Sequence, residues 1–278
     1  MKIIVLPIVR KNMETQEDWE MMQMDNDNKN DKKELKNVKI ITYNVNGAGR
    51  NKKINSFIEK NKEVDILCIQ ECNSSILKQL KENYPEEQYM YFCNNVRAKS
   101  YVVLIVRKAL VQNEEHISYK DGFYIDGYEK RNYVNKFVEI VCEIQGQKVR
   151  ILGIHNSFGS ELLSSQVTML YKLNRYIDEL CKNHEILIIL GDFNIDWKQY
   201  EKEESVCTLF KEFQRKMDTP FVEFLKDESD NTLYTRKTKC HSSYIDYIFT
   251  RNIVMDKASI TIQTDVKDSD HYPVVLSL

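Results

Sequence analysis

From Val38 onward the chain carries short apolar runs, separated by amphipathic or polar stretches, and this pattern constrains the fold most strongly. VDILCIQ (64–70) and EILIIL (185–190) are almost continuously apolar, as strands covered on both faces are. The stretch 162–180 instead places its apolar residues on one helical stripe. None of the runs approaches the roughly 18 apolar residues that a membrane-spanning helix needs. The pattern predicts one α/β domain over residues 38–278.

The same periodicities predict individual elements. We expect strands at VKIITY, VDILCIQ, YVVLIVRK, KFVEIVCEI, KVRILGIH, EILIIL, SYIDYIFT, ASITIQT and YPVVLSL, and helices at NKKINSFIEKN, after Asn73, and over 162–180. The break Gln145–Gly146–Gln147 between two strands predicts a hairpin turn.

The first 37 residues differ from the rest of the chain. Residues 11–37 are rich in Asp, Asn, Lys, Glu and Met with little periodicity, so they could not bury enough surface to offset their chain entropy. MKIIVLPIV is apolar but is followed by Arg10, Lys11 and Asn12 rather than by a small-residue cleavage site. We therefore expect residues 1–37 to form a poorly ordered tail and linker, with an additional strand at its start as the alternative.

Charge and cysteine content limit the possible partners and compartment. The net charge of −2 gives no global attraction to polyanions, so a nucleic-acid substrate would depend on local clusters such as Lys52–Lys53 or Arg236, Lys237 and Lys239. Such clusters are also common on solvated faces. The seven cysteines include no CxxC pair, which argues against zinc. Apolar neighbours of several cysteines favour reduced thiols and an intracellular protein, either nuclear or cytoplasmic.

Polar side chains occur where the predicted strands begin or end. They are Asn44, Glu71, His155, Asp192, Asn194, Asp246, Asp270 and His271. Taken singly, each has an ordinary explanation, such as a turn-forming Asn or a structural His. Together they offer carboxylates and amides at strand ends, where ligand sites of α/β proteins gather. Oxygen ligands of this kind suit Mg²⁺.

Five phrases occur in the order found in the endonuclease/exonuclease/phosphatase superfamily: TYNVNG (42–47), DILCIQE (65–71), GDFN (191–194), SSYIDYIF (242–249) and SDHYPV (269–274). The chain resembles that family over almost all of 38–278. The resemblance implies a four-layer α/β sandwich, in which two mainly antiparallel sheets pack face to face with helices outside.

The resemblance also implies a role for each residue. Glu71 would be the principal ligand of Mg²⁺, or of Mn²⁺, with Asn44 and Asp270 assisting directly or through water. Asp192 would orient or deprotonate the attacking water, and Asn194 would donate to a phosphate oxygen. Asp246 and His271 would form a dyad in which the carboxylate holds the imidazole charged.

Subfamily phrases leave the substrate open. IHNS (154–157) resembles the deoxyribonuclease I branch, where this histidine is a second catalytic imidazole, but the region 97–108 lacks that branch's acidic partner. His155 is therefore either catalytic or structural. The run 232–249 resembles apurinic and retrotransposon-type nucleases, and the phrase typical of phosphoinositide phosphatases is absent.

The resemblance favours a Mg²⁺-dependent nuclease acting on nucleic acid, with DNA favoured over RNA but the choice between them left open by the sequence. Arg131, Arg236 and Lys237 are the candidate backbone contacts. The alternatives are a tyrosyl-DNA phosphodiesterase-like or sphingomyelinase-like enzyme of the same fold, and a binding module without catalysis.

Overall fold

The computed structural model describes residues 32–47, 52–94, 100–123, 136–156, 163–180, 185–196, 204–219 and 234–278. Its strands are β1 Lys39–Asn44, β2 Ile66–Cys72, β3 Tyr89–Cys93, β4 Tyr101–Arg107, β5 Val111–Gln112, β6 Ser118–Phe123, β7 Lys136–Ile144, β8 Gln147–His155, β9 Ile186–Asp192, β10 Arg236–Lys237, β11 Ser242–Ser243, β12 Asp246–Arg251, β13 Ser259–Ile262 and β14 Val274–Ser277. Its helices are α1 Asn55–Lys60, α2 Ser74–Asn83, α3 Leu163–Leu180 and α4 Glu204–Arg215, with single 3-10 turns at Lys108–Leu110 and Glu114–His116.

The first large sheet has the strand order β13-β14-β1-β2-β4-β3. Its β1–β2 pair is parallel, and its other pairs are antiparallel. In the parallel pair Asn44 lies opposite Gln70. Because parallel strands end at the same edge of a sheet, Asn44 and Glu71 emerge side by side.

The second large sheet has the order β12-β9-β8-β7-β5, and β6 also pairs with β7. Here β8 and β9 are the parallel pair. The predicted hairpin between β7 and β8 is confirmed, with a two-residue turn at Gln145 (φ 51°) and Gly146 (φ 74°). Positive φ at both turn residues gives the twist that matches right-twisted strands, so this turn sets the register of the hairpin.

The two sheets pack face to face and the helices cover their outer sides, as the four-layer prediction requires. Between the sheets Cys68 lies so close to Gly153 that a Cβ there would come within 2.6 Å of its sulfur. Phe57 of α1 and Leu80 of α2 pack on the first sheet. Helices α3 and α4 contribute Leu170, Leu173, Phe210 and Phe213 to the core of the second sheet. Mainly antiparallel pairing in both sheets confirms the predicted fold class.

The structure adds elements that the periodicity reading missed. Helix α4 has apolar residues at helical spacing, so its sequence does carry a helical signal: Val206, Leu209, Phe210 and Phe213. Strand β3 is a half-buried edge strand without clear alternation, so its sequence carries a weak signal. As expected, Cys68 and Cys142 are free, buried thiols, whereas Cys93 is half-buried.

Residues 32–37 pack against the second sheet rather than leading loosely into it. Lys33 bridges Ile253, and its backbone exchanges hydrogen bonds with Asn252 and Val254, each of 3.0 Å. Leu35 is buried, and the side chain of Gln145 bonds the backbone of Lys36 twice. Residues 32–37 are therefore part of the packed chain, and the domain boundary at Val38 stays a prediction. Residues 1–31 of the predicted tail lie outside the described residues.

No helix in the described ranges is long and apolar enough to cross a membrane.

Leu35 tests whether this N-terminal contact stabilises the fold. Leu35→Ala should lower the free energy of unfolding by about 2–3 kcal/mol, since it empties a buried site next to the core. Urea denaturation would measure the change. Glu34→Ala, at an exposed neighbour, is the matched control and should leave the midpoint almost unchanged. Equal effects of the two variants would show that the contact contributes no stability.

Candidate active site

The polar residues singled out at strand ends converge at one end of the sandwich. Along the second sheet they form a cross-strand row: Asp246 lies opposite Asp192, Asp192 opposite His155, and His155 opposite Lys136. From the first sheet, Asn44 reaches this row by hydrogen bonding Asp192. The two sheets thus deliver carboxylates, amides and imidazoles to one place.

Asp246 and His271 are in direct contact, as the dyad prediction requires. His271 Nδ1 lies 2.9 Å from Asp246 Oδ2 and 3.2 Å from Oδ1. Both side chains are buried. On the other side of the ring, His271 Nε2 lies 3.9 Å from Asp192 Oδ2. The imidazole therefore sits between two carboxylates, with Nδ1 fixed by one of them and Nε2 directed toward the other.

The surroundings favour a protonated His271. Burial alone would lower the pKa of His271, but the charge and hydrogen bond of Asp246, with further attraction from Asp192 and Asp270, raise it to about 9. Asp192 behaves oppositely. Burial and the nearby Asp246 charge raise the pKa of Asp192 to about 7, although His271 and hydrogen bonds from Asn44 and Asn194 oppose the rise. The site can hold a cationic imidazole beside a carboxylate able to accept a proton near neutral pH.

Asn44 connects the two sheets within the site. Its Nδ2 donates to Asp192 Oδ2 at 2.8 Å and to Glu71 Oε1 at 3.2 Å. Its Oδ1 accepts the backbone N–H of Asn46 at 2.9 Å, which fixes the orientation of the amide. In this orientation the Asn44 amide nitrogen faces the two carboxylates and its oxygen faces the backbone. Asn44 therefore positions the carboxylates of Glu71 and Asp192 by hydrogen bonding.

Glu71 is aimed into the site by an unusual backbone. It sits at a register shift between Ile69 and Cys72 and has φ of +54°, a conformation that costs a non-glycine residue about 1–3 kcal/mol. Gly47 permits the close approach, because a Cβ at Gly47 would come within 2.1 Å of Glu71 O. The Glu71 side chain is 31% exposed, and its Oε2 has no hydrogen-bond partner among the described residues. The surrounding fold therefore maintains strain that presents a carboxylate to solvent.

The GDFN turn is held by its neighbours. Gly191 has φ of +149° and leaves no room for a Cβ, which would lie 1.9 Å from Ile154 O. Asn194 N donates to Asp192 Oδ1, and Asn194 Nδ2 donates to Asn156 O, both at 2.8 Å. Asn156, which the sequence reading did not consider, in turn donates to Phe193 O at 2.9 Å. Asn194 thus helps to orient Asp192, and one of its two amide protons is already engaged.

Asp270 is held from two sides. Asn46 Nδ2 lies 2.8 Å from its Oδ1, and Arg236 Nε lies 3.0 Å from its Oδ2. Burial opposes ionisation, but the Asn46 hydrogen bond and the charges of His271 and Arg236 lower the pKa of Asp270. Arg236, predicted to contact substrate, is here an ion-pair partner of Asp270.

The other predicted substrate contacts differ in position. Lys237 is exposed, with its ammonium over the Tyr234 ring. Arg131 lies outside the described residues.

His155 faces the carboxylates of Glu71 and Asp192 at distances longer than a hydrogen bond. Its Nε2 lies 3.8 Å from Glu71 Oε1 and 3.9 Å from Asp192 Oδ2. Burial, together with the positive charges of Lys136 and His271, lowers the pKa of His155 to about 3. The ring is thus neutral near pH 7, and it contributes a hydrogen-bonding group rather than a second charge.

Lys136 is a site neighbour that the sequence reading missed. Its ammonium donates to Ser100 O at 2.6 Å, and the residue pairs directly with His155. A signal was present: counting outward from the Gln145–Gly146 turn pairs residue 136 with residue 155.

A divalent cation fits the Glu71 side of the site better than the dyad. The ligand atoms of Asp192, Asp246 and His271 do lie within 4.8 Å of one another. However, a protonated imidazole cannot bind a metal, and the pKa of His271 is raised to about 9. Glu71 and Asp270 offer hard oxygen atoms, of which Glu71 Oε2 is uncommitted among the described residues.

Comparison with solved structures yields the same fold. A humanized D. rerio TDP2 carrying 14 mutations matches with a TM-score of 0.64 and 16% identity over 86% of this chain and 98% of that one. D. rerio TDP2 complexed with single strand DNA product gives a TM-score of 0.61 and 14% identity over 86% and 98%. Mannosyl-6-phosphatase Bt3783 of Bacteroides thetaiotaomicron gives 0.57 and 17% over 86% and 98%. At these identities the similarity establishes the fold alone.

No curated protein sequence matches the chain significantly. A family model does: that of the Endonuclease/Exonuclease/phosphatase family aligns with residues 41–271, which include all the strand-end residues described above. The resemblance carried by the five sequence phrases is thereby confirmed. The chain belongs to the Endonuclease/Exonuclease/phosphatase family, whose members are phosphoric ester hydrolases.

Proposed function

We propose that this protein is a Mg²⁺-dependent phosphodiesterase that hydrolyses nucleic acid, with DNA as its preferred substrate. The observation that carries the proposal is the arrangement of Asp246, His271 and Asp192. It places a hydrogen-bonded cationic imidazole 3.9 Å from a carboxylate with a near-neutral pKa. Hydrolysis of a phosphodiester needs both groups: one to accept a proton from water and one to oppose developing negative charge.

In the proposed reaction Asp192 accepts a proton from a water molecule as the water oxygen attacks phosphorus. The bond from phosphorus to the leaving oxygen breaks on the side opposite the attacking water, and the leaving oxygen takes the bonding electron pair and is then protonated by solvent. His271, held by Asp246, faces the phosphate with its Nε2 proton and stabilises charge on the phosphate oxygens. Asn194 and His155 complete the polar wall around that position.

Glu71 would hold the cation, and Asp270 would assist through a direct or water-mediated contact. When bound, Mg²⁺ supplies positive charge against the phosphate and leaving oxygens. Mn²⁺ takes similar oxygen ligands and is expected to substitute. Asn44 holds Glu71 and Asp192 at a fixed separation through its two hydrogen bonds.

Two observations support nucleic acid as the substrate. One structural relative was solved with a single strand DNA product. Basic residues also border this site, including Lys136 beside His155, Lys52 bonded to Asn46 O, and exposed Lys237. Cations placed around a catalytic cleft can neutralise backbone phosphates on either side of the scissile one.

A substrate panel with Mg²⁺ tests the proposal. It would include supercoiled plasmid, abasic duplex, single strands, RNA, 5′-tyrosyl DNA, sphingomyelin and a sugar 6-phosphate. Cleavage of DNA at the highest kcat/KM supports a nuclease. A higher kcat/KM on the tyrosyl, lipid or sugar ester would contradict the nuclease assignment and would indicate another phosphoric ester hydrolase of the same family.

Glu71→Gln tests the metal ligand. Removing the charge should raise the Mg²⁺ concentration required for half-maximal activity by at least about tenfold, since Mg²⁺ depends on carboxylate ligands. Circular dichroism should show an intact fold, because Glu71 is partly exposed. Glu143→Gln, on exposed β7 surface, is the charge-matched control. An unchanged Mg²⁺ requirement in Glu71→Gln would remove this residue from the metal site.

The dyad is tested by single and double variants. Asp246→Asn and His271→Gln should each lower kcat by about 10²–10⁴-fold, the range for a positioned acid or electrostatic group. Because the two act as a unit, the double variant should lose little more than the worse single one. Multiplying losses would mean that the residues act independently. His116→Gln, an exposed histidine, controls for loss of an imidazole.

The pH profile tests the charge states. Activity should rise through about pH 7 as Asp192 loses its proton, and fall above about pH 9 as His271 loses its own. Asp246→Asn removes the attraction that raises the pKa of His271, so the alkaline limb should move to lower pH. An alkaline limb at the same pH in Asp246→Asn would contradict the assignment of that limb to His271.

A further inference from the structure

Asp246 and His271 come from separate segments, and a third segment lies between them. Arg236 forms an antiparallel bridge with His271. On either side of this bridge, Tyr272 N donates to Thr235 O at 2.6 Å and Lys237 N donates to Asp270 O at 2.7 Å. The segment Thr235–Lys237 therefore acts as a short strand along the chain that carries His271.

The same segment also holds the chain that carries Asp246. Thr235 is fully buried, and its Oγ1 accepts two backbone N–H groups, from Ile245 and Asp246, each at 3.0 Å. Its own N–H donates to Ser243 O at 3.0 Å. Thr235 thus bonds the backbone on both sides of the dyad, through its hydroxyl on the Asp246 side and its carbonyl on the His271 side.

The next residue continues this pattern. Arg236 Nε binds Asp270 Oδ2 at 3.0 Å. Two successive residues, Thr235 and Arg236, therefore contact the three consecutive residues 270–272, which include Asp270 and His271 of the candidate site. This ion pair orients the Nε side of the guanidinium toward Asp270.

We propose that Thr235 and Arg236 are positioning residues that align Asp246, Asp270 and His271 for the hydrolysis proposed above. The inference rests on that function for its catalytic consequence, but the alignment itself concerns only the Asp246–His271 hydrogen bond. Without the Thr235 hydroxyl, two buried N–H groups at the start of β12 lose their acceptor. The start of β12 would then shift, and the carboxylate of Asp246 with it.

Thr235→Val tests the hydroxyl, because valine has almost the same shape and no acceptor. Thr235→Ser restores the acceptor and is the rescue variant. Thr219→Val is a matched control: Thr219 is buried, and its Oγ1 accepts the N–H of Thr250 at 2.6 Å, on the same strand β12 but at its other end. Both valine variants remove a buried acceptor from β12, and only one does so next to the dyad.

The first readout needs no catalysis. In ¹⁵N-histidine-labelled protein, the His271 Nδ1 proton resonance reports the hydrogen bond to Asp246 and is assigned by its absence in His271→Gln. We expect it to shift or broaden in Thr235→Val and to persist in Thr235→Ser and Thr219→Val. An unchanged resonance in folded Thr235→Val would overturn the proposal. If wild type shows the resonance but hydrolyses no phosphate ester, the proposed function fails while this alignment still stands.

The second readout is kinetic. Thr235→Val should lower kcat by up to about 10²-fold with little change in KM, the scale expected for misplacing a catalytic group by about 1 Å. In a double variant with Asp246→Asn, Thr235→Val should cause little further loss of kcat. Thr219→Val should either leave kcat unchanged or lower it by the same factor with and without Asp246→Asn. A kcat loss in Thr219→Val equal to that in Thr235→Val would assign both threonines to general stability.

Arg236→Gln keeps the proposal testable if Thr235→Val does not fold, since Arg236 is partly exposed. As a positioning residue it should lower kcat and leave the salt dependence of oligonucleotide binding unchanged. Lys237 is the next residue and is exposed. Lys237→Gln should instead reduce the slope of log binding constant against log salt concentration by about 1, as loss of a phosphate contact does. A reduced salt slope with unchanged kcat in Arg236→Gln would return Arg236 to substrate binding and overturn its positioning role.

Discussion

One parallel strand pair in each sheet, β1–β2 and β8–β9, is the constraint on which the site depends. Parallel strands end at the same edge, so each pair delivers two polar side chains to neighbouring points: Asn44 with Glu71, and His155 with Asp192. Packing the sheets face to face then brings the two edges together. The Asn44–Asp192 hydrogen bond of 2.8 Å joins them directly. If either pair were antiparallel, one member of that pair would lie at the far end of the sandwich.

Burial gives this arrangement its chemistry. Asp192, Asp246 and His271 are almost inaccessible to solvent, so each charge is felt strongly by the others. The result is a division of roles: the pKa of Asp192 rises toward neutrality, whereas the pKa of His271 rises well above it. Burial and the positive charges of Lys136 and His271 instead lower the pKa of His155. Of the two histidines in the site, His155 is therefore neutral and His271 cationic near pH 7, because of their positions alone.

Much of the fold could be predicted because its strands are buried on both faces. Runs such as EILIIL leave little doubt about their type, and the Gln145–Gly146 turn specified a hairpin and its register. Strand β3 and the short pair β10–β11 were missed, since brief or half-buried strands carry few apolar positions. The packing of Leu35 was not predicted, because a single apolar residue within a polar stretch sets up no periodicity.

The sequence by itself determined which residue types stand at the strand ends and in which order, and this order was enough to identify the family. Partners were decided only by the tertiary structure. Arg236, a predicted substrate contact, pairs with Asp270, and Thr235, within the run 232–249, bonds the backbone on both sides of the dyad. The reason is physical: residue type and spacing are local properties of the chain, whereas hydrogen bonds between residues 235, 246 and 272 exist only after three separate segments have packed together.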